Sequence, residues 1–278
     1  SSNTTMTAAQ NNAFTGTITE GGSETITITG DGAVTTLGTI AAYSIGDDST
    51  NARTVTVSAA GTSVTASSTT DAITFSLNAV NYTSGTLTGD TNVADALSVT
   101  GAVSIVGGTF TNIGNLTIVT GANLTMTVAQ HATFASTITA AGTETISISD
   151  TGTVAVNTAV ATYATAAGVA NTFTLGTNAA VNISGTSGAT TLTLDGATTY
   201  SGTLTLGAGT NVINMVNGSN LGTATLSASG GSINFTIASG ASVTMKIADN
   251  IFLGAGTATA AGTEQITLSD AGTATGDA

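Results

Sequence analysis

The residues of this chain that could perform chemistry are few, and most of them are acidic. The densest carboxylates are the neighbours Asp47 and Asp48 and the pair Asp90 and Asp95, and Arg53 is the cation nearest to the first group. A polysaccharide lyase or hydrolase needs several carboxylates at one place, with a basic residue or a metal that stabilises developing charge. The stretch about 120 residues further on that matches the first group is uncharged. We therefore expect solvated loop charges at these positions and predict that the chain is not an enzyme.

The acidic turns could instead bind calcium, because this ion takes carboxylate and backbone carbonyl oxygens as ligands. Single acidic residues beside glycine or serine are spread along the chain rather than gathered. The sequence predicts no cofactor, and calcium is the one ion that we consider as a ligand of these turns. The candidate ligands are Asp31, Asp47, Asp48, Asp90, Asp150 and Asp270.

Two other kinds of titratable residue have structural interpretations. His131 is the only histidine and the chain has no cysteine, so a zinc-type site would lack ligands, and we predict that His131 lies on the surface.

A glutamate also recurs at one point of a long repeat, before an isoleucine-containing strand pattern. We predict that each caps a turn or hydrogen-bonds into a neighbouring rung; these residues are Glu24, Glu144 and Glu264. Asp150 and Asp270 lie in Ser-Asp-X-Gly-Thr segments, which predict side-chain-to-backbone turns.

The recurring glutamates belong to a tandem repeat of about 120 residues. Its clearest marker is a methionine, at Met6, Met126 and Met245, that precedes the glutamate by 18 or 19 residues. Tandem copies of one degenerate unit indicate a structural array rather than a single pocket. The predicted copies are 1–122, 123–241 and a partial third copy, 242–278.

Strict alternation of hydroxyl or β-branched residues with aliphatic residues dominates each copy. Examples are the segments 25–29 (TITIT), 124–128 (LTMTV) and 203–206 (TLTL). This period of two predicts strands with one aliphatic face and one hydroxyl face, separated by Gly, Asn and Asp turns. Only the alanine-rich segment 159–170 predicts a turn or two of helix. The fold class that we predict is therefore all-β.

Two all-β architectures fit this pattern. The chain has no proline and no tryptophan, and its small aliphatic residues suit a narrow core in which similar side chains stack on rungs about 4.8 Å apart. Absence of proline suits continuous ladders, because proline removes a hydrogen-bond donor. We predict a repeat array of the β-solenoid or β-helix type. Tandem β-sandwich repeats are the alternative, since strands between tight turns give the same sequence pattern.

Composition-biased motifs recur along essentially the whole chain, including 139–146 (TAAGTETI), 171–176 (NTFTLG) and 238–245 (ASGASVTM). In these motifs the chain resembles the β-strand repeat regions of large secreted bacterial surface proteins, which include S-layer-like proteins and type I-secreted adhesins. The resemblance implies an extracellular location on the bacterial cell surface. Such proteins often carry calcium-binding glycine-aspartate nonapeptides. None occurs here, and the turns around Asp31 and Asp90 are the nearest remnants.

Charge and hydropathy exclude two classes of partner. The net charge is −13, and Arg53 and Lys246 are the only lysine or arginine residues. Two cations cannot make the many phosphate contacts that drive nucleic-acid affinity. No uninterrupted apolar run of about eighteen residues occurs, so no membrane insertion is expected. We predict neither nucleic-acid binding nor a membrane span.

The sequence favours a structural function over catalysis. The partial third copy repeats the start of the first, so we expect copies of the chain to associate head-to-tail by pairing of open strand edges into a filament, fibre or S-layer. Surface glycans are the other partner that a hydroxyl face accommodates. Two alternatives are a stalk segment of a large secreted adhesin and a carbohydrate-active β-helix enzyme, which would depend on Asp47 or Asp48.

Overall fold

The fold is an all-β solenoid of parallel strands, as the sequence predicts. In the computed structural model every strand pairing among the described residues is parallel, which excludes the antiparallel β-sandwich alternative. The structure describes residues 3–14, 16, 18–19, 24–46, 52–66, 72–90, 95–134, 137–228, 231–246, 248 and 257–270.

The chain forms two compact units. Unit 1 comprises residues 1–126 and 136–144, and unit 2 comprises residues 127–135 and 145–278. The segment 136–144 lies in the second sequence copy, yet it packs with the first compact unit.

Strands that follow one another along the chain alternate between two main sheets in each unit. In the first sheet of unit 1, paired residues are 17 to 23 positions apart, which is the length of one coil. This first sheet contains β1 (Thr4–Thr7), β2 (Thr25–Thr29), β4 (Ala42–Ile45), β6 (Ser63–Ala66), β8 (Thr86–Thr88) and β11 (Thr109–Thr111). The second sheet contains β3 (Val34–Thr35), β5 (Arg53–Thr56), β7 (Ile73–Asn78), β9 (Ala96–Thr100), β12 (Asn115–Ile118) and β14 (Ile138–Ala140). A further pair is β10 (Ala102–Ser104) with β13 (Asn123–Met126).

Unit 2 repeats this arrangement. Its first sheet contains β15 (Thr145–Ile148), β17 (Thr162–Thr165), β19 (Asn182–Ser184), β21 (Thr203–Leu206) and β23 (Thr225–Ala228). Its second sheet contains β16 (Gly152–Ala155), β18 (Asn171–Leu175), β20 (Thr190–Leu194), β22 (Asn211–Met215), β24 (Ile233–Ile237) and β26 (Thr257–Thr259). The remaining pair is β25 (Ser242–Met245) with β27 (Gln265–Leu268).

The alternation of aliphatic and hydroxyl side chains explains why these segments form strands. In β2, Ile26 and Ile28 point inward and are buried, while the three threonines between and beside them are partly exposed. Because the strands are parallel and in register, inward residues of successive coils stack as columns. Burying each such side chain contributes roughly 1.5–3 kcal/mol. One column of unit 1 is Val34, Val55, Phe75, Leu97 and Leu116.

Two short helices interrupt the strand pattern: α1 (Ala8–Ala13) and α2 (Val128–Phe134). The expectation of a strand over 124–128 is wrong beyond Met126, because Thr127 begins a capping box. Its hydroxyl accepts the Gln130 N–H (3.1 Å), and the Gln130 side chain accepts the Thr127 N–H (3.0 Å). The predicted helix at 159–170 is also wrong, since β17 and turns occupy that segment.

Candidate interaction surfaces

The outer faces of unit 1 carry straight columns of hydroxyl groups, as the alternation predicts. Parallel register places one outward serine or threonine of every coil directly over that of the next coil, about 4.8 Å away. Within the described residues, none of these side-chain hydroxyls hydrogen-bonds to another residue, so all are open to solvent or to a periodic partner. One column is Thr5, Thr27, Ser44, Thr65, Thr88 and Thr111. The other is Thr35, Thr56, Ser76, Ser98, Thr117 and Thr139.

The outer faces of unit 2 are similar but less regular. Thr153, Thr172 and Thr191 form a threonine column that Val212 then interrupts. Some of its polar groups bond to each other; for example, the Asn214 amide donates to the Thr193 hydroxyl (3.2 Å) on the neighbouring strand. These faces therefore present a mixture of free and internally bonded groups.

The coil at β27 exposes apolar side chains that are buried elsewhere. Ile266 is 44% exposed and Leu268 is 37% exposed. Their counterparts in the second copy, Ile146 and Ile148, are fully buried, and the strand that carries them pairs with β17. Among the described residues, β27 pairs only with β25. Within the part of the chain that the structure describes, β27 thus combines exposed apolar side chains with one unpaired edge, and such an edge is a template for association.

Among the strands that the structure describes, unit 1 has an unpaired strand edge at β1. In the described part of the chain, β1 pairs only with β2, and a hollow of about 130 Å³ lies beside it. Met6 lines this hollow, whereas the matching Met126 of the second copy is fully buried. The lining residues are Thr4, Met6, Ile18, Thr19, Glu24, Thr25, Ile26 and Ile40.

Two of the recurring glutamates close turns, which confirms the structural interpretation for them. One carboxylate oxygen of Glu144 accepts the backbone N–H groups of Gly142 (2.7 Å) and Thr143 (2.9 Å). Glu264 makes the same two bonds one copy later and also accepts the Gly240 N–H (3.3 Å) of the preceding coil. Burial opposes ionisation of both carboxyls, but the backbone N–H groups outweigh it, so the pKa of each lies below its ordinary value.

The expectation of solvated loop charges is wrong for Asp90, Asp95 and Arg53, all of which are buried. The Asp95 carboxylate accepts the N–H groups of Ile73 (2.7 Å) and Asp90 (2.8 Å). Burial raises the pKa of Asp95, the two N–H groups lower it and the Asp90 carboxylate raises it, with a net rise. Arg53 donates to the Gly46 carbonyl oxygen (2.9 Å).

The Asp95 carboxylate connects neighbouring coils, because it accepts the backbone N–H groups of Ile73 and Asp90. At the matching corner of unit 2, the neutral amide of Asn211 accepts the Thr190 N–H (2.9 Å) through its oxygen. It also donates to the carbonyl oxygens of Gly207 (2.8 Å) and Gly209 (3.0 Å). Because an amide fills the same place, the geometry gives this carboxylate a structural role.

The candidate calcium ligands are not brought together. Asp31 and Asp90 belong to unit 1, while Asp150 and Asp270 belong to unit 2. Asp150 accepts the Val128 N–H (2.7 Å), which lies 22 residues earlier, rather than forming the local turn bond that its segment predicts. Among the described residues, no three His, Asp or Glu side chains are grouped so that they could hold a metal ion. The remaining two candidates, Asp47 and Asp48, lie outside the described residues.

The prediction that His131 is a surface residue is wrong. This side chain is 1% exposed under α2, and its Nε2 lies 2.9 Å from the Tyr163 hydroxyl. The Tyr163 oxygen also accepts the Asn157 N–H (3.0 Å). Burial lowers the pKa of His131 to about 4. In unit 1 the matching pair is Asn11 and Tyr43, where the hydroxyl donates to the Asn11 side-chain oxygen (3.3 Å).

Sequence reasoning missed both helices and the buried pair beneath each of them. The available signal was the Thr-X-X-Gln capping box at 7–10 and 127–130, which is present in both copies. A second signal was the separation of 32 residues that joins Asn11 to Tyr43 and His131 to Tyr163.

No family model, curated protein or solved structure matches the chain. Neither described helix has the length and apolar character that crossing a membrane requires. The fold and its surfaces are therefore the basis for assigning a function.

Proposed function

We propose that this chain is a structural, self-associating β-solenoid protein of the bacterial cell surface. In this proposal, molecules join head-to-tail by strand-edge pairing and build a filament, fibre or S-layer, without catalysis. The observation that carries the proposal is the apolar face of β27, where Ile266 and Leu268 are exposed although the same positions are buried in the other two copies.

The edge of β1 in unit 1 is the partner that we propose for β27. The unpaired edge of β1 offers backbone groups in the parallel direction that all neighbouring strands use, and the hollow beside Met6 and Ile40 offers apolar surface. Placing β27 of one molecule against β1 of another would continue the ladder and cover Ile266 and Leu268. A contact between two different ends does not close on itself, so it propagates into a linear polymer.

The extracellular location rests on the resemblance to secreted surface proteins and on the composition. Hydroxyl columns with no internal hydrogen bonds, such as the one through Thr27 and Thr65, give this surface many donors and acceptors without charge. Surface glycans are the second partner class that we propose for these columns, because sugars bond to such groups directly or through water.

Substitution at the exposed end tests head-to-tail association. Ile266→Lys combined with Leu268→Lys should abolish concentration-dependent polymers in sedimentation velocity and negative-stain micrographs, because two charges would have to be buried in the contact. Thr267→Lys is the matched control, since it adds a charge to the same exposed strand on its other face, and it should leave the polymers intact.

Two results would contradict the proposal. Wild-type chain that remains monomeric at all concentrations would exclude self-association and favour the stalk of a larger adhesin. Polymers that survive the double substitution would exclude β27 as the contact. Repeating the wild-type measurement with a calcium chelator shows whether ions at the acidic turns take part.

A further inference from the structure

Helix α2 carries His131 and lies at the edge of a sheet. Helix α2 packs against β16, which is the terminal strand of its sheet and pairs on its other side with β18. The approach is close because Gly152 has no side chain; a Cβ there would lie 3.1 Å from the methyl groups of Val128. The helix therefore covers the strand edge that would otherwise be open to pairing.

The corresponding helix of unit 1 is tied to its strand by amide side chains. Asn11 donates to the Thr35 carbonyl oxygen (2.7 Å), and Asn12 donates to the Ala33 carbonyl oxygen (2.7 Å) and accepts the Thr35 N–H (3.0 Å). These bonds imitate a neighbouring strand and do not titrate.

In α2 the same two positions are His131 and Ala132, so the pair of amides is absent. His131 keeps the contact with the tyrosine, at 2.9 Å and with the rings edge-to-face, as Asn11 does with Tyr43 in unit 1. A titratable group thus stands where unit 1 has a neutral amide.

Protonation of this imidazole is incompatible with its surroundings. The imidazolium form would have to donate its Nε2 proton to the Tyr163 oxygen, which already accepts the Asn157 N–H. Its positive charge would also be buried, because His131 is 1% exposed. The described groups of unit 2 that face the helix are Tyr163 from β17 and Asp150 before β16, and Asp150 is bonded to the Val128 N–H. Helix α2 itself has no acidic residue in its first turn.

We propose that His131 is an acid-sensitive latch, whose protonation releases α2 from β16 and frees that strand edge to pair with a second copy of this chain. The release rests on the burial of His131 and its contact with Tyr163, whereas the pairing step rests on the proposed self-association.

The expected effect can be calculated from the two protonation states. The ordinary histidine pKa of 6.5 applies to the released helix, and burial lowers the pKa to about 4 in the closed one. Lowering the pH from 7.5 to 5 should therefore increase the opening equilibrium of α2 about 30-fold.

Hydrogen exchange of the full chain at these two pH values, corrected for the intrinsic exchange rates, measures this opening. Peptides covering α2 and β16 should show the increase, while peptides covering α1 and β3 in the same sample should not. His131→Asn should remove the acid response, and Asn11→His should transfer one to α1. Equal pH dependence of the two helices in the wild-type chain, or a response that persists in His131→Asn, would overturn the latch.

Light scattering of the same samples separates release from pairing. Stronger association at pH 5 than at pH 7.5 in the wild-type chain, absent in His131→Asn, supports both steps. Opening of α2 without any acid-induced association would establish the latch and refute the pairing of β16. The β27 double variant should lose association while α2 still opens in acid, because the two steps use different residues. The proposed end contact and the proposed latch can therefore fail independently of each other.

Discussion

Replacing each of the four tyrosines by phenylalanine tests whether hydrogen bonding or burial alone determines stability in this fold. All four side chains are almost completely buried, so each substitution removes one hydroxyl group and leaves the ring. The hydroxyls differ in their partners, which makes the series its own control. The four residues are Tyr43, Tyr82, Tyr163 and Tyr200.

The structure gives an order of effects. Tyr163→Phe removes the partner of the buried His131 nitrogen and of the Asn157 N–H. Each buried polar group left without a partner costs roughly 1–3 kcal/mol, so the expected loss for the two groups is about 2–6 kcal/mol. Tyr82 makes one bond, to the Thr62 carbonyl oxygen at 2.8 Å, and its replacement should cost about 1 kcal/mol. The Tyr200 hydroxyl makes no hydrogen bond of normal geometry within the described residues, although burial raises its pKa and the nearby Ile183 N–H lowers it in part, so its removal should cost the least of the four.

Tyr43→Phe is the matched variant in unit 1. Its oxygen accepts the Leu37 N–H (2.9 Å) and its proton goes to Asn11 (3.3 Å), so its loss should resemble that of Tyr163→Phe. Urea unfolding followed by far-ultraviolet circular dichroism gives the total change in free energy. Hydrogen exchange locates it, because coils of a solenoid contact mainly their neighbours. A Tyr200→Phe variant as destabilised as Tyr163→Phe would refute the reasoning, since the cost would then follow burial and not the bonds.

Two further predictions concern ionisation. Burial raises the pKa of Tyr82, Tyr163 and Tyr200. Their contribution to the free energy of unfolding is therefore complete below pH 10 and falls as the pH rises through the raised pKa values. Tyrosinate absorbance should appear only as the circular dichroism signal of the strands disappears. The lowered pKa of Glu144 and Glu264 makes their contribution complete above pH 4.5 and lost as the pH falls. In urea unfolding at several pH values, Glu144→Gln should lower stability at pH 7 and flatten its fall in acid, and Glu264→Gln, at a less buried site, should do so less.

The solenoid could be predicted because its determinants are local and repeated. In β2 the alternation of Thr25, Ile26, Thr27, Ile28 and Thr29 fixes which face is inward, and the absence of proline permits ladders on both sides of each strand. A register shift of one residue would turn Ile26 and Ile28 outward. The same pattern in every coil therefore specifies stacking as well as strand formation.

The alternation failed where a side chain competes with it for the backbone. Residues 124–128 alternate as well as β2 does, yet Val128 is the first residue of α2. The Thr127 hydroxyl and the Gln130 side chain satisfy each other's backbone N–H groups, and this local bonding offers the chain an alternative to the ladder. The strand therefore ends at Met126.

The buried histidine could not be predicted from its own position, because its environment is assembled from residues far along the chain. Yet the repeat supplies an internal comparison. Asn11 and His131 occupy one position of two copies, and each contacts a tyrosine 32 residues later. The shared tyrosine shows that the position is a polar contact in the core, while the change from amide to imidazole leaves packing in place and adds a group that titrates. Differences between copies at matched contacts are thus where one unit of the array can acquire a property that the other lacks.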